Sequence, residues 1–199
     1  MKKELNWAVL GCGVIANEMA LALEHMGKHL YAVGNRTHEK AVTFAEKYGV
    51  QKVYDDFQEM FHDPDVDVIY ITTPHNTHIE FAREALAGGK HVLCEKPIAS
   101  NASEFQQMYD TAIKNQVILL EAMRSVFSPG FAAIRSLLPV LGTIRQVDFS
   151  FCKYSSRYDH FKEGIIENAF HPALSNAALM DIGVYCVHPL VSLFGMPAS

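Results

Sequence analysis

The residues best suited to chemistry lie in the stretch Lys90–Pro97, which reads Lys-His-Val-Leu-Cys-Glu-Lys-Pro. Its apolar run, His91–Cys94, is typical of a strand buried on both faces of a sheet. That strand would place Glu95 and Lys96 at its carboxyl end, where Pro97 stops the ladder. Ligands of open α/β sheets bind outside the carboxyl ends of the strands. The spacing therefore predicts an amine at a binding crevice; a solvated Lys-Pro turn is the alternative for this dipeptide taken alone.

A glycine-rich turn near the beginning of the chain has the spacing of a dinucleotide-binding motif. It lies between a predicted strand, 5–10, and a helix pattern, and it reads Gly11-Cys12-Gly13-Val14-Ile15-Ala16. Gly11 permits a tight turn, Gly13 lets a pyrophosphate approach the backbone, and Ala16 keeps the helix close to the strand. The helix N-terminus favours the anion through its unpaired N–H groups and its dipole. The motif predicts dinucleotide binding; a turn that serves packing alone is the alternative.

The residues after the second predicted strand, 30–33, indicate which dinucleotide is bound. An Asp or Glu at this place accepts a hydrogen bond from a free ribose 2′-hydroxyl and repels a 2′-phosphate. The chain instead has Asn35, Arg36 and Thr37. A guanidinium beside amide and hydroxyl donors suits a phosphate. We therefore expect NADP in preference to NAD, with a solvated loop arginine as the alternative.

Strand and helix patterns alternate from the start of the chain to about residue 123. Further strands are predicted at 53–54, 66–72, 91–94 and 117–120, with helices between them. Such alternation gives right-handed βαβ units and a parallel sheet. The sequence thus predicts an α/β fold in which residues 1–123 form a doubly wound Rossmann domain. The pattern then changes to a helix at 131–138, a long strand at 143–153, an aperiodic segment at 154–172 and a helix at 176–194.

The composition excludes several classes of partner. Of the 199 residues, 49% are hydrophobic and 20% are charged, which is typical of a globular protein with a core. The formal net charge of -5 offers no basic surface for nucleic acid or anionic lipid. The four cysteines are widely spaced and the ten histidines lack metal-ligand spacing, so we expect reduced thiols and no metal. The sequence shows neither a leader-like segment nor an apolar run long enough to span a membrane, so we expect a cytoplasmic protein. Its expected partner is a small-molecule substrate.

Three motifs, in order, resemble the signatures of the Gfo/Idh/MocA oxidoreductase family: the glycine-rich turn, Thr73–His78 and Ala87–Pro97. Within that family, Glu121-Ala122 and the run Ala178–Cys186 are most similar to the dimeric trans-dihydrodiol dehydrogenase and xylose dehydrogenase branch. The resemblance implies hydride transfer between a nicotinamide cofactor and a secondary hydroxyl or carbonyl of a sugar, polyol or trans-dihydrodiol.

The resemblance also implies that Lys96 is the catalytic lysine and that Asp181 and Tyr185 are its partners. The spacing agrees, because helical residues four apart lie on one face. A nearby cation favours the phenolate form of a tyrosine. We therefore expect Tyr185 to remove the hydroxyl proton as general base, Lys96 to hold the substrate oxygen, and Asp181 to orient the substrate or the Lys–Tyr pair. The alternatives are a helix-face carboxylate and a packed aromatic residue.

Other residues are expected around the cofactor. Three residues that end the strand at 66–72 should line the nicotinamide: Thr72, Thr73 and Pro74. His75 is similar to a position that faces the cofactor in the dihydrodiol branch. His78 either contacts the cofactor or caps the following helix. Glu95 is expected to contact the cofactor or to support its own turn.

The substrate site is expected to combine Lys96, Asp181 and Tyr185 with two further residues. Arg124 stands where the dihydrodiol branch often has tryptophan, which favours a more polar substrate. Tyr158, in the aperiodic segment, either contacts substrate or belongs to a mobile loop.

The chain departs from the family pattern in its last part. Ser175-Asn176-Ala177 replaces a glycine-rich run before the helical aspartate. Relatives continue with a large, mostly antiparallel sheet that builds the substrate pocket and a homo-oligomer interface. Residues 124–199 are therefore expected to be the beginning of an α+β substrate and dimerisation domain that is largely missing. The chain would then be a piece of a longer enzyme or a degenerate product. A non-catalytic NADP-binding regulator, or a truncated inactive relative, is the alternative function.

Overall fold

The computed structural model describes residues 4–197, so the outermost residues of both predicted domains, 1–3 and 198–199, lie outside the described residues. The chain divides into two compact units: one ends at Ala122 and the other begins at Met123.

The first unit contains a parallel sheet of six strands among the described residues. The strands are β1 (Trp7–Leu10), β2 (Ala32–Gly34), β3 (Lys52–Tyr54), β4 (Val68–Ile71), β5 (His91–Cys94) and β6 (Leu119–Glu121). Their order across the sheet is β3-β2-β1-β4-β5-β6, so the direction of winding reverses between β1 and β4. This is the doubly wound order, and the prediction of a Rossmann fold is confirmed.

Helices cover both faces of the sheet because the strand residues are apolar on both faces. They are α1 (Val14–His25), α2 (His38–Tyr48), α3 (Phe57–His62), α4 (His78–Ala87) and α5 (Ala102–Asn115). Ile69 and Ile71 of β4 share one core with residues of α3, α4 and α5. Tyr70, between them, belongs to the other core, with residues of α1 and α2. This alternation is the period of two that a strand imposes on its side chains.

Side-chain caps begin some of the helices and are lacking at others. Asn101 caps α5, because its side-chain oxygen accepts a hydrogen bond from the Glu104 N–H at 3.0 Å. Asp56 caps α3 in the same way through the Gln58 N–H. Thr37 occupies the cap position of α2, but its side chain makes no cap hydrogen bond with any described residue.

The regular secondary structure in the described part of the second unit is helical, and residues 144–155 have none. It contains α6 (Pro129–Leu137), α7 (Tyr158–Lys162) and a π-helical turn, Leu179–Gly183, that continues into α8 (Val184–Phe194). Short 3-10 turns lie at Arg124–Phe127, Leu138–Leu141, Asn168–Phe170 and Pro172–Leu174. The predicted helices at 131–138 and 176–194 are therefore confirmed, and part of the expected loop at 154–172 is helical.

The prediction of a strand at 143–153 is wrong. This segment pairs with none of the described strands, which all belong to the first unit. Its alternating apolar side chains, Val147, Phe149 and Phe151, are 36–44% exposed. A strand is defined by hydrogen bonds to a neighbour, and an alternating pattern cannot supply that neighbour.

Candidate functional site

A cleft of about 260 Å³ opens at the carboxyl ends of β1, β2 and β4, where the winding of the sheet reverses. It is lined by Leu10, Gly11, Cys12, Gly13, Asn35, Arg36, Phe57, Thr72, Thr73, Pro74, Thr77 and Phe81. Eight of the residues expected to bind the cofactor are in this lining. The reversal point is where doubly wound sheets bind their ligands.

Gly11 makes the tight turn out of β1. Its φ is +105°, and its N–H donates to the Gly34 carbonyl at 2.8 Å. A Cβ at this position would lie 2.6 Å from Thr72 Oγ1 and 3.2 Å from the Thr72 carbonyl oxygen. The Thr72 hydroxyl and N–H both donate to the Leu10 carbonyl, so Thr72 cannot easily move away. Both the backbone angle and the space therefore require glycine.

Gly13 leaves the N-terminus of α1 open to the cleft. A Cβ built there meets no described atom within 4 Å, and the first turn of α1 carries no acidic residue. Val14 and Ile15 are exposed. Asn17 stabilises the turn, because its side-chain amide donates to the Gly13 carbonyl at 2.9 Å. An open helix N-terminus beside a glycine suits the pyrophosphate of a dinucleotide, so these residues fit the expected cofactor.

Cationic groups lie near the same turn. Arg36 lines the cleft, and the Asn35 amide donates to the Thr37 carbonyl at 2.9 Å. Thr37 itself is exposed at the start of α2. Burial raises the pKa of the Cys12 thiol to about 11, while the charge of Lys40 acts to lower it. Sequence reasoning did not predict Lys40 as a cation near the cofactor. The signal available for it was its position in the first turn of α2, shortly after Arg36.

The opposite wall of the cleft is formed by the end of β4 and the loop after it. Thr72, Thr73 and Pro74 line this wall, and their contact with the nicotinamide stays a prediction. The Thr77 hydroxyl contacts the Thr73 hydroxyl at 2.8 Å and donates to the Pro74 carbonyl at 2.7 Å. Thr77 was missed, although it belongs to the same motif.

Two aromatic residues at the cleft, Phe57 and Phe81, were also missed. Their rings meet edge to face, 5.5 Å apart. Each looks in the sequence like an ordinary core residue of an amphipathic helix. Only the packing of α3 beside α4 brings them to the cleft.

His78 is fully buried at the start of α4. Its ring nitrogens face the carbonyl oxygens of Pro97, at 2.9 Å, and Thr73, at 3.0 Å. Burial lowers the pKa of His78 to about 4, so the ring is neutral and donates one of these bonds. This placement favours a structural link between the loops after β4 and β5 over direct cofactor contact. His75 lies beside it, with ring centroids 5.5 Å apart.

Glu95 and Lys96 follow β5 at the same edge of the sheet, and both are half-buried. The Glu95 carboxylate accepts hydrogen bonds from the Tyr70 hydroxyl and, at 3.2 Å, from the Lys96 N–H. The peptide bond between Lys96 and Pro97 is cis. Glu95 therefore supports the turn that carries the lysine.

Asp181 and Tyr185 belong to the second unit, so their proximity to Lys96 stays a prediction. Asp181 lies in the π-helical turn, and its N–H donates to the Ala177 carbonyl at 2.9 Å. The Tyr185 ring, in α8, stacks on Phe151 with centroids 5.1 Å apart and planes inclined by 16°. Phe151 was missed because it sat in the segment assigned to a strand.

The two further substrate candidates are also in the second unit. Arg124 begins the 3-10 turn Arg124–Phe127. Tyr158 begins α7 and is 44% exposed; its ring contacts that of Tyr154 edge to face at 5.7 Å. Tyr158 therefore belongs to an aromatic cluster on the surface, and its contact with substrate stays a prediction.

Among residues 4–197, no group of three or more His, Cys, Asp or Glu side chains is arranged to hold a metal ion. No helix in the same range is long and apolar enough to cross a membrane.

The sequence matches known proteins along most of its length. Residues 5–123 match the Gfo/Idh/MocA family, described as an oxidoreductase family with an NAD-binding Rossmann fold. An NADP-dependent scyllo-inositol 2-dehydrogenase of Bacillus subtilis is 43% identical over 196 residues, covering 97% of this chain and 59% of that protein. A trans-1,2-dihydrobenzene-1,2-diol dehydrogenase of Xenopus tropicalis is 34% identical over 193 residues, covering 94% and 56%. The chain thus spans less than two thirds of these curated relatives.

Solved structures share the fold. An NAD-binding oxidoreductase from Klebsiella pneumoniae superposes with a TM-score of 0.77 and 27% identity, covering 96% of this chain and 54% of that one. A 3-ketoreductase from Actinomadura kijaniata, solved with NADP and TDP-benzene, superposes with a TM-score of 0.80 and 24% identity, covering 97% and 58%.

Proposed function

The chain belongs to the Gfo/Idh/MocA family of oxidoreductases with an NAD-binding Rossmann fold. We therefore propose that it functions as an NAD(P)-dependent dehydrogenase or reductase. The reaction is hydride transfer between the nicotinamide and a secondary hydroxyl or the corresponding carbonyl. One observation carries this proposal: the open glycine turn after β1 and the lysine after β5, with β4 between the two strands, lie at the same edge of the parallel sheet.

NADP is the proposed cofactor. No acidic residue closes β2, and Asn35 and Arg36 line the cleft beside Lys40. Two cations attract a 2′-phosphate, and a guanidinium binds it with two parallel hydrogen bonds. Arg36→Ala should weaken NADPH binding about tenfold and leave NADH binding unchanged, as expected for one lost charge-assisted contact. Arg83→Ala, outside the cleft lining, is the matched control in a fluorescence titration; equal loss of both dinucleotides would contradict the assignment.

The substrate class proposed is a cyclic polyol or a sugar, with a trans-dihydrodiol as the second candidate. The relative at 43% identity is named for scyllo-inositol, and the one at 34% for a dihydrodiol. Arg124, in place of an aromatic residue, favours a substrate rich in hydroxyl groups. Homo-oligomer formation stays a prediction from the family resemblance.

The chemistry divides between three side chains of this chain. The bound dinucleotide supplies the hydride acceptor in the oxidation direction. Tyr185 takes the hydroxyl proton as general base, and Lys96 holds the same oxygen through its ammonium group. Asp181 orients the substrate or the Lys–Tyr pair. In the reduction direction the same proton returns from Tyr185 to the carbonyl oxygen.

Replacement of Lys96 tests the proposal. Lys96→Met should lower turnover by about 10³-fold, the scale of a lost acid–base or oxygen-holding group, and leave NADPH affinity within about twofold. Turnover is followed at the absorbance band of reduced nicotinamide with scyllo-inositol, xylose and a cyclic trans-diol. Equal loss of turnover and NADPH affinity would argue for a structural lysine. NADPH binding without turnover of any of these substrates would favour a non-catalytic, cofactor-binding regulator.

A further inference from the structure

Tyr70 is a buried tyrosine near the carboxyl end of β4, in the middle of the sheet. It is 5% exposed and lies in the core formed with α1 and α2, opposite Leu93 of β5 in the parallel register. A buried phenol brings a hydroxyl into an apolar core, and that hydroxyl costs free energy unless it is hydrogen-bonded. A phenylalanine would fill the same space without this requirement.

The partner of the Tyr70 hydroxyl is the carboxylate of Glu95. Glu95 is two residues beyond Leu93, so it projects to the same face of the sheet and reaches Tyr70 diagonally across the strands. One carboxylate oxygen accepts from the Tyr70 hydroxyl, and the other accepts from the Lys96 N–H at 3.2 Å. The carboxylate therefore bridges a core residue of β4 and the backbone of Lys96.

We propose that Tyr70 is a positioning residue for Lys96. By holding one oxygen of Glu95, it presents the other to the Lys96 N–H and so fixes the backbone from which the amine projects. The proposal deepens the proposed function, and rests on it wherever Lys96 is taken to act on substrate. The link from the hydroxyl to the Lys96 N–H lies wholly within the first unit.

The electrostatic surroundings make Tyr70 a donor rather than an acid or base. Burial, and then the bond to Glu95, raise the pKa of Tyr70 far above its ordinary value, and the charge of Glu18 acts in the same direction. The phenol therefore keeps its proton over the whole pH range in which proteins are usually folded. It can hold Glu95, but it cannot exchange a proton with substrate in place of Tyr185.

Hydrogen exchange at the Lys96 amide tests the link without relying on catalysis. In Tyr70→Phe, which keeps the ring and removes the hydroxyl, the Lys96 amide should exchange about tenfold faster, because its acceptor is no longer held. Tyr54→Phe is the matched control: Tyr54 is also 5% exposed and donates to a carboxylate, that of Asp63, which is hydrogen-bonded to Lys52. Exchange of the Lys96 amide in Tyr54→Phe should equal that of the unmodified chain when read by NMR.

A kinetic measurement supplies the second readout. Tyr70→Phe should lower kcat about tenfold while KM for NADPH stays within about twofold, because positioning affects the amine more than the cofactor cleft. Glu95→Gln, which keeps one oxygen acceptor, should give faster Lys96 exchange than the unmodified chain, and it carries the test if Tyr70→Phe fails to fold. Unchanged Lys96 exchange in a folded Tyr70→Phe or Glu95→Gln variant would overturn the proposal. If the unmodified chain turns over no substrate, the proposed function fails, and the exchange rates still decide the role of Tyr70.

Discussion

The two units of this chain differ in how far their large apolar side chains are buried. In the first, every residue of β4 is buried, and the core side chains come from a sheet covered by helices on both faces. In the second, large apolar residues such as Phe127, Val140 and Leu179 are 67–75% exposed. Burial of this kind is the main source of folding free energy. The stability of the first unit should therefore depend on its core, whereas these exposed apolar residues of the second should each contribute little.

The same difference affects the predicted catalytic residues. Lys96 follows a strand whose hydrogen bonds fix its register, and its backbone contacts Glu95. Tyr185 lies in α8, where Pro189 is the one buried residue among those described, and its ring stacks on Phe151. A strand ladder in a buried core restricts a residue more tightly than a largely exposed helix does. The lysine and the cofactor cleft thus have a geometry that rests on a complete core.

The largest expected effect comes from removing a core side chain in the first unit. Ile69→Ala should lower the free energy of unfolding by about 4 kcal/mol, because the side chain is fully buried between β4 and the helices on that face. Leu179→Ala, at a side chain that is 67% exposed, should change it by less than about 0.5 kcal/mol. Urea unfolding followed by circular dichroism measures both. Comparable losses would mean that the two units are stabilised alike.

A somewhat smaller effect is expected where the first unit requires glycine. Gly11→Ala should cost about 3 kcal/mol, because strain at φ +105° adds to a contact of 2.6 Å with Thr72. Gly49, at φ +63°, has no described atom within 4 Å of its would-be Cβ, so Gly49→Ala should cost only the backbone term of about 1 kcal/mol. Equal costs in the same unfolding assay would show that the contact with Thr72 is relieved.

The smallest effect is a dependence on pH. Burial acts to raise the pKa of Asp63, but hydrogen bonds from Lys52 and Tyr54 outweigh it and lower that pKa to about 2. Since the folded pKa lies below the ordinary 3.8, the stabilisation is present above that value and is lost as pH falls towards 2. The loss should be about 1 kcal/mol, because Lys52 is half exposed and solvent screens the pair.

Variants of two aspartates measure this loss. Asp63→Asn should flatten the acid limb of a plot of unfolding free energy against pH. Hydrogen bonds from Lys162 and Tyr154 also lower the pKa of Asp159 in the second unit, but this carboxylate is exposed and screened by solvent, so Asp159→Asn should flatten the limb less than Asp63→Asn does. An acid limb that responds to Asp159 instead would reverse the comparison between the units.

What could be predicted from the sequence was local. The glycine turn and the strand His91–Cys94 each depend on a few neighbouring residues, and each was found where expected. The bond from Tyr70 to Glu95 joins residues 25 apart, and the contact of His78 with Pro97 joins residues 19 apart. Nothing in either residue's neighbours indicates the partner. The false strand at 143–153 has the same cause, because strand formation depends on a distant partner.

The most direct measurement of the central claim is the affinity of the chain for NADPH before and after Gly13→Ala. The added methyl group would project into the open space at the N-terminus of α1 and touch no described atom, so the fold should remain intact. If the glycine turn holds the pyrophosphate, NADPH binds the unmodified chain saturably, and Gly13→Ala weakens binding at least about tenfold with an unchanged free energy of unfolding. Equal affinities for the two proteins, or no binding by the unmodified chain, would contradict the account.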